Sequence, residues 1–174
     1  MQKISFIKMH GLGNDFVILD NRINPVDINQ PLIKKLSDRR SGAGCDQLIT
    51  INMPKKKEDA RIEIYNPNGD KAEACGNGTR CVAKLLFEEK NTTFVSISSE
   101  AGLLKAKRID ENNISVNMGK LSNNWQDIPL AYEMDTLNIP ITVKDFSKGV
   151  AVNVGNPHIV FFGKNIDDLD LNKI

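Results

Sequence analysis

Hydrophobic positions along this chain recur with two periods. Alternation, or a short apolar run bounded by turn residues, marks strands at residues 4–9, 16–19, 48–51 and 60–65. In the last of these, Ile62 and Ile64 share one face, while Arg61, Glu63 and Tyr65 share the other. A helical period appears twice. Leu32, Ile33 and Leu36 predict a helix over 29–39, with Asn29 as cap and Pro31 in its first turn. Cys81, Val82, Leu85 and Leu86 form the packed stripe of a second helix that ends near residues 90 and 91, with Arg80, Lys84 and Glu88 on its wet side. Strands follow at 94–98, 103–109 and 114–118, a meander in its simplest arrangement.

The texture changes at Gly119. Residues 119–138 have weak periodicity and read as a linker or crossing. Strand-like segments return at 139–143, 150–154 and 159–162, the last two separated by Gly155-Asn156-Pro157-His158, and residues 165–174 are charged and helix-like. The expectation is an α+β fold with strands wrapped around a central helix. Residues 1–118 would be a complete half and 119–174 the crossing and opening of a second, so that the chain reads as incomplete.

Composition narrows the function classes. With 40% hydrophobic and 26% charged residues the chain is globular, and a net charge of +1 gives no general attraction to nucleic acid or an anionic membrane. No apolar run is long enough to span a bilayer, and the amino terminus lacks the pattern of a signal peptide. Three cysteines without a spacing framework argue for a reducing compartment, so the expected location is cytoplasmic. A zinc site is disfavoured, because Cys75 and Cys81 are too far apart in sequence and His10 and His158 are the sole histidines.

The candidate chemistry centres on Cys75, in Ala74-Cys75-Gly76-Asn77-Gly78 at the start of the second helix. A helix amino terminus has unpaired N–H groups and a positive dipole end, which favours a thiolate and could also receive a carboxylate. A free cysteine is often only a small buried hydrophobe, and the glycine flank brings the two readings level. Cys81 lies on the packed stripe and reads as core. Amide side chains recur beside the turns at Asn14, Gln47, Asn66, Asn77 and Asn156. Amides offer donors and acceptors without net charge, which suits a zwitterionic amino acid, although each is also an ordinary turn residue. The Gly11-Leu12-Gly13 connection does not fit a dinucleotide-binding loop, since strand-like residues follow it.

Five segments carry a resemblance: Lys8-Met9-His10-Gly11-Leu12-Gly13-Asn14-Asp15-Phe16, Gly44-Cys45-Asp46-Gln47, Tyr65-Asn66-Pro67-Asn68-Gly69, Ala74 to Cys81, and Asn153-Val154-Gly155-Asn156-Pro157-His158. In order and spacing they resemble the motifs of diaminopimelate epimerase. The Cys-Gly-Asn-Gly core separates them from proline racemases, whose cysteine motif differs, and from phenazine-type isomerases, which lack the thiol.

The resemblance implies a cofactor-independent epimerisation of LL- to meso-diaminopimelate, in which two similar halves each supply one acid/base cysteine. Carried over, Cys75 would be one thiol and His158 would tune it. Asn14, Gln47, Asn66 and Asn156 would hold the substrate, while Gly76 and Asn77 would present N–H groups to its carboxylate. The implied partner is the small amino-acid substrate, with no nucleic acid, membrane, metal or cofactor; a homodimer stays open. No second cysteine motif precedes Ile174. A related racemase or isomerase of the same fold and an inactive amino-acid-binding fragment stand as alternatives.

Overall fold

The computed structural model of the chain describes residues 3–141, 143, 146 and 148–164. They fall into two compact units, Met1–Met118 and Gly119–Ile174.

The first unit begins with a hairpin of β1 (Ile7–Gly11) and β2 (Asn14–Asp20), paired so that Gly11 faces Asn14. Its two-residue turn has φ of 56° at Leu12 and 86° at Gly13, the double positive φ of a turn whose twist matches the flanking strands. Helix α1 (Gln30–Ser37) follows, with the Asn29 side chain accepting from the Leu32 N–H at 3.0 Å and proline in the first turn. Then β3 (Gln47–Asn52) runs parallel to β2, and β4 (Ala60–Tyr65) runs antiparallel to β3. A two-residue strand β5 (Lys71–Ala72), which the hydrophobic pattern does not mark, pairs with β4.

Helix α2 (Gly76–Lys90) is stopped at Asn91, which takes the left-handed conformation with φ of 49°. The meander β6 (Phe94–Ser99), β7 (Gly102–Arg108) and β8 (Ile114–Asn117) completes the unit, with β6 parallel to β4. The strand order is β1-β2-β3-β4-β6-β7-β8, with β5 off this path.

Helix α2 touches β1 and β2 at one end of that order and β6, β7 and β8 at the other. The sheet must therefore curl around it. Side-chain alternation divides the interior accordingly: Phe16 and Ile18 of β2 join Ile49, Ile51, Ile62, Ile64, Val95 and Ile97 against Val82, Leu86 and Phe87 of α2, whereas Val17 and Leu19 turn outward to Ile33 of α1. This explains why 16–19 reads as a continuous apolar run, for both faces of β2 are covered. Each such buried side chain contributes on the order of 2 kcal/mol.

Register also fixes where the loops gather. Because β3 is parallel to β2 while β1 and β4 are antiparallel, the ends of β1 and β4 and the starts of β2 and β3 lie on one rim. The amino terminus of α2 opens there too, since a Cβ on Gly11 would lie 3.3 Å from Asn77 Cβ.

The second unit differs from its sequence reading. Residues 119–138 are part of a fold rather than a linker: a 3-10 helix (Trp125–Asp127) precedes Ile128, which is buried with Ile139 and Ala151. Ser122 bridges to Asn153, and the Thr136 hydroxyl donates to the Asn123 carbonyl at 2.5 Å. Strands β9 (Val150–Asn153) and β10 (Pro157–Val160) form a hairpin, whereas the strand expected at 139–143 is reduced to isolated bridges at Ile139 and Val143. The helix expected at 165–174 lies outside the described residues. Among the described residues, no helix is long and apolar enough to cross a membrane.

Candidate functional site

Cys75 is the N-cap of α2, and its backbone is extended, with φ of −149° and ψ of 102°. The chain therefore turns into the helix with the sulfur lying over the first-turn amides, and the Gly78 N–H donates to Sγ at 3.4 Å. Gly78 itself is closely packed: a Cβ there would stand 2.6 Å from Ile49 Cδ1 and 3.3 Å from Phe16 Cε1, so any side chain would force Ile49 to turn and Phe16 to give way.

A row of amides faces this sulfur. The Cys75 thiol donates to Asn14 Oδ1 at 3.8 Å, and Asn77 Nδ2 donates to the same oxygen at 3.4 Å. The Arg80 guanidinium, one turn further along α2, donates to Asn77 Oδ1. Beside them on the rim, Gln47 Nε2 donates to Asn66 Oδ1 at 3.0 Å. The structure thus brings Asn14, Cys75 and Asn77 together and pairs Gln47 with Asn66.

One sequence expectation needs correction here. The amino terminus of a helix suggested a thiolate, but burial pushes the Cys75 thiol up, and it outweighs the opposing pull of the Gly78 and Asn77 N–H groups and of Arg80. Burial thus favours the thiol over the thiolate. The Asn77 N–H, expected to meet a substrate carboxylate, is directed at this sulfur.

Asn156 and His158 belong to the second unit. His158 was expected in a turn; it is instead an exposed residue of β10, opposite Val152. Its Nδ1 lies 3.0 Å from the Asn156 carbonyl oxygen, which suits a proton on Nδ1 and leaves Nε2 an acceptor. The other cysteines are placed differently. Cys81 is buried in the core around α2, and Cys45 is buried on the opposite face of the sheet, 3.5 Å from the Ser37 hydroxyl. All three are free thiols.

Sequence reading passed over the charges behind Asn14. Asp15 and Asp46 are both held by Arg39, at 2.7 Å each, and Lys8 adds a contact to Asp15 at 2.8 Å. The one available signal was adjacency, as Asp15 follows Asn14 and Asp46 precedes Gln47. No cluster able to hold a metal occurs among the described residues.

A sequence model of the family described as "Diaminopimelate epimerase" matches residues 6–123, which contain every element of the first unit from β1 to β8. The chain belongs to the diaminopimelate epimerase family. A protein of that name from Zymomonas mobilis is 48% identical over 170 residues, covering 98% of this chain and 61% of its own length. Another from Pelagibacter ubique is 44% identical, covering 98% of this chain and 64% of its own length. The chain thus spans about three fifths of these relatives.

Solved structures show that the fold is wider than the family. A probable proline racemase from Agrobacterium radiobacter is similar with a TM-score of 0.66 at 16% identity, over 91% of this chain and 52% of that one. A hydroxyproline epimerase from Agrobacterium vitis gives 0.63 at 16% identity, over 90% of this chain and 50% of that one.

Proposed function

We propose that this chain supplies one acid/base thiol and part of the substrate cradle for the epimerisation of LL-diaminopimelate to meso-diaminopimelate, without a cofactor. The observation that carries the reading is the Cys75 sulfur, placed at the amino terminus of α2 with the amides of Asn14 and Asn77 around it, in a chain of this family.

The chemistry follows from those groups. Epimerisation removes the α-proton from one face and returns a proton to the other. A protonated Cys75 thiol is ready to donate. To accept, it must first lose its proton, and the Gly78 N–H, the Asn77 N–H and the Arg80 charge all favour the anion so formed. The carbanion carries charge into the α-carboxylate, where fixed donors stabilise it best if water is excluded. Gly76 and Asn77 N–H groups and the amides of Asn14, Gln47, Asn66 and Asn156 are assigned to the substrate's polar groups, and His158 to tuning the thiol. Neither Cys45 nor Cys81 suits the second acid, since both are buried in packed cores. The enzyme works in the cytoplasm on this reading.

Protection against alkylation tests the assignment. Diaminopimelate should slow the reaction of iodoacetamide with Cys75, and Asn14→Ala should remove that protection. An alkylation rate at Cys75 that the ligand leaves unchanged contradicts it.

A further inference from the structure

The Asn14 side chain has a fixed orientation, and its cause is a charge that does not touch Cys75. Asn14 Nδ2 donates to Asp46 Oδ2 at 3.0 Å, and the Asp15 N–H donates to the same oxygen at 3.0 Å. Asp46 Oδ1 is gripped by Arg39 at 2.7 Å, and the Asp46 N–H returns a bond to Asp15 Oδ1 at 2.9 Å. An ionised carboxylate can only accept, so it dictates which end of the Asn14 amide turns away from it. The nitrogen faces Asp46, and the oxygen is left for the Cys75 sulfur and for Asn77.

We propose that Asp46 is a positioning residue of the epimerase site: its carboxylate locks the Asn14 amide with the carbonyl oxygen toward the Cys75 sulfur, so that Asn14 accepts from the thiol and offers no N–H to a thiolate. This rests on the reading of Cys75 as the acid/base thiol. An acceptor opposite the sulfur stabilises S–H, whereas a rotated amide would place an N–H donor there and stabilise the anion. Asp46 thereby adds to burial in keeping Cys75 a thiol while it waits for substrate. Of the other titratable groups on α2, Arg80 acts on the sulfur and Cys81 feels it, while Asp15, Arg39 and Lys8 stand behind Asp46 on the β1 to β3 side.

The test is the pH dependence of iodoacetamide alkylation at Cys75, followed by peptide mass mapping on the intact chain. Asp46→Asn, which can present a donor as well as an acceptor to Asn14, should lower the midpoint by about half to one pH unit, a three- to tenfold faster reaction near neutrality. In an Asn14→Ala background the same substitution should have no such effect, which separates control through the amide from the direct field of the carboxylate. Arg39→Gln removes ion pairs from the cluster but keeps Asp46 on Asn14, and should leave the midpoint in place. An unmoved midpoint in Asp46→Asn, a shift that persists without Asn14, or an equal shift in Arg39→Gln overturns the proposal. Since alkylation needs no turnover, these outcomes are independent of the α-proton exchange that tests the role of Cys75 itself.

Discussion

At the residue scale, the account turns on one sulfur under opposing influences. Burial disfavours the Cys75 anion, while two backbone N–H groups and Arg80 favour it, and burial prevails. The sign is therefore set: alkylation of Cys75 should rise with pH through a midpoint above the ordinary free-cysteine value of about 8.5. A midpoint below that value, read from the rate against pH, would mean that the helix terminus dominates. The position of Cys75 was legible, since a cysteine before Gly-Asn-Gly at the head of an amphipathic pattern marks an N-cap. Its resting state was not, because desolvation depends on what the sheet folds over it. Asp46 was equally hidden: its effect arises from a contact with Asn14, 32 residues away.

Among the elements, period and capping residues were enough for both helices and most strands. Asn29 and Pro31 start α1, and residues 60–65 form β4 over the full predicted span. What the pattern missed are features that only pairing creates. β5 is two residues long and exists because β4 has a free edge there, and His158 is drawn into β10 by pairing across to Val152. Positive φ in the first hairpin falls on Leu12 as well as Gly13, while Gly11 serves the close approach to Asn77. At the other close approach, Gly78→Ala should press a methyl against Ile49 and Phe16, and this crowding should cancel the gain of about 1 kcal/mol that alanine otherwise brings to a helix. Urea unfolding measures this, and a stabilisation by the full amount of about 1 kcal/mol would show that α2 does not rest on β3 as described.

Taken as a whole molecule, the chain holds its first unit together by curling a sheet around one helix and fastening the rim with charges. Arg39 first, and then Lys8 and the Asp46 N–H, hold the Asp15 carboxyl well below the usual carboxylate range; Asp46 is lowered chiefly by Asn14, and Asp20 chiefly by Arg22. For a carboxyl depressed in the folded state, the stability it lends is complete above its unfolded value of about 3.9 and is lost as pH falls toward the folded one. The urea midpoint should accordingly start to drop below about pH 5 and go on dropping below pH 3, and Asp15→Asn should flatten that drop. Equal pH dependence in the parent and the variant would place the linkage elsewhere. The wrapped α+β design could be read from the order of elements, whereas the fold of residues 119–138 could not, because Ile128, Ile139 and Ala151 are brought together from separate weakly patterned segments.

The central claim is that Cys75 exchanges a proton with the α-carbon of diaminopimelate. Exchange does not require inversion, since a single base can remove a proton and return a deuteron on one face. The most direct measurement is proton NMR of LL-diaminopimelate in D₂O with this chain and with its Cys75→Ser variant, following the α-proton signal. The signal should decay with the parent and persist with the variant. Decay at the same rate in both, or in neither, would contradict it.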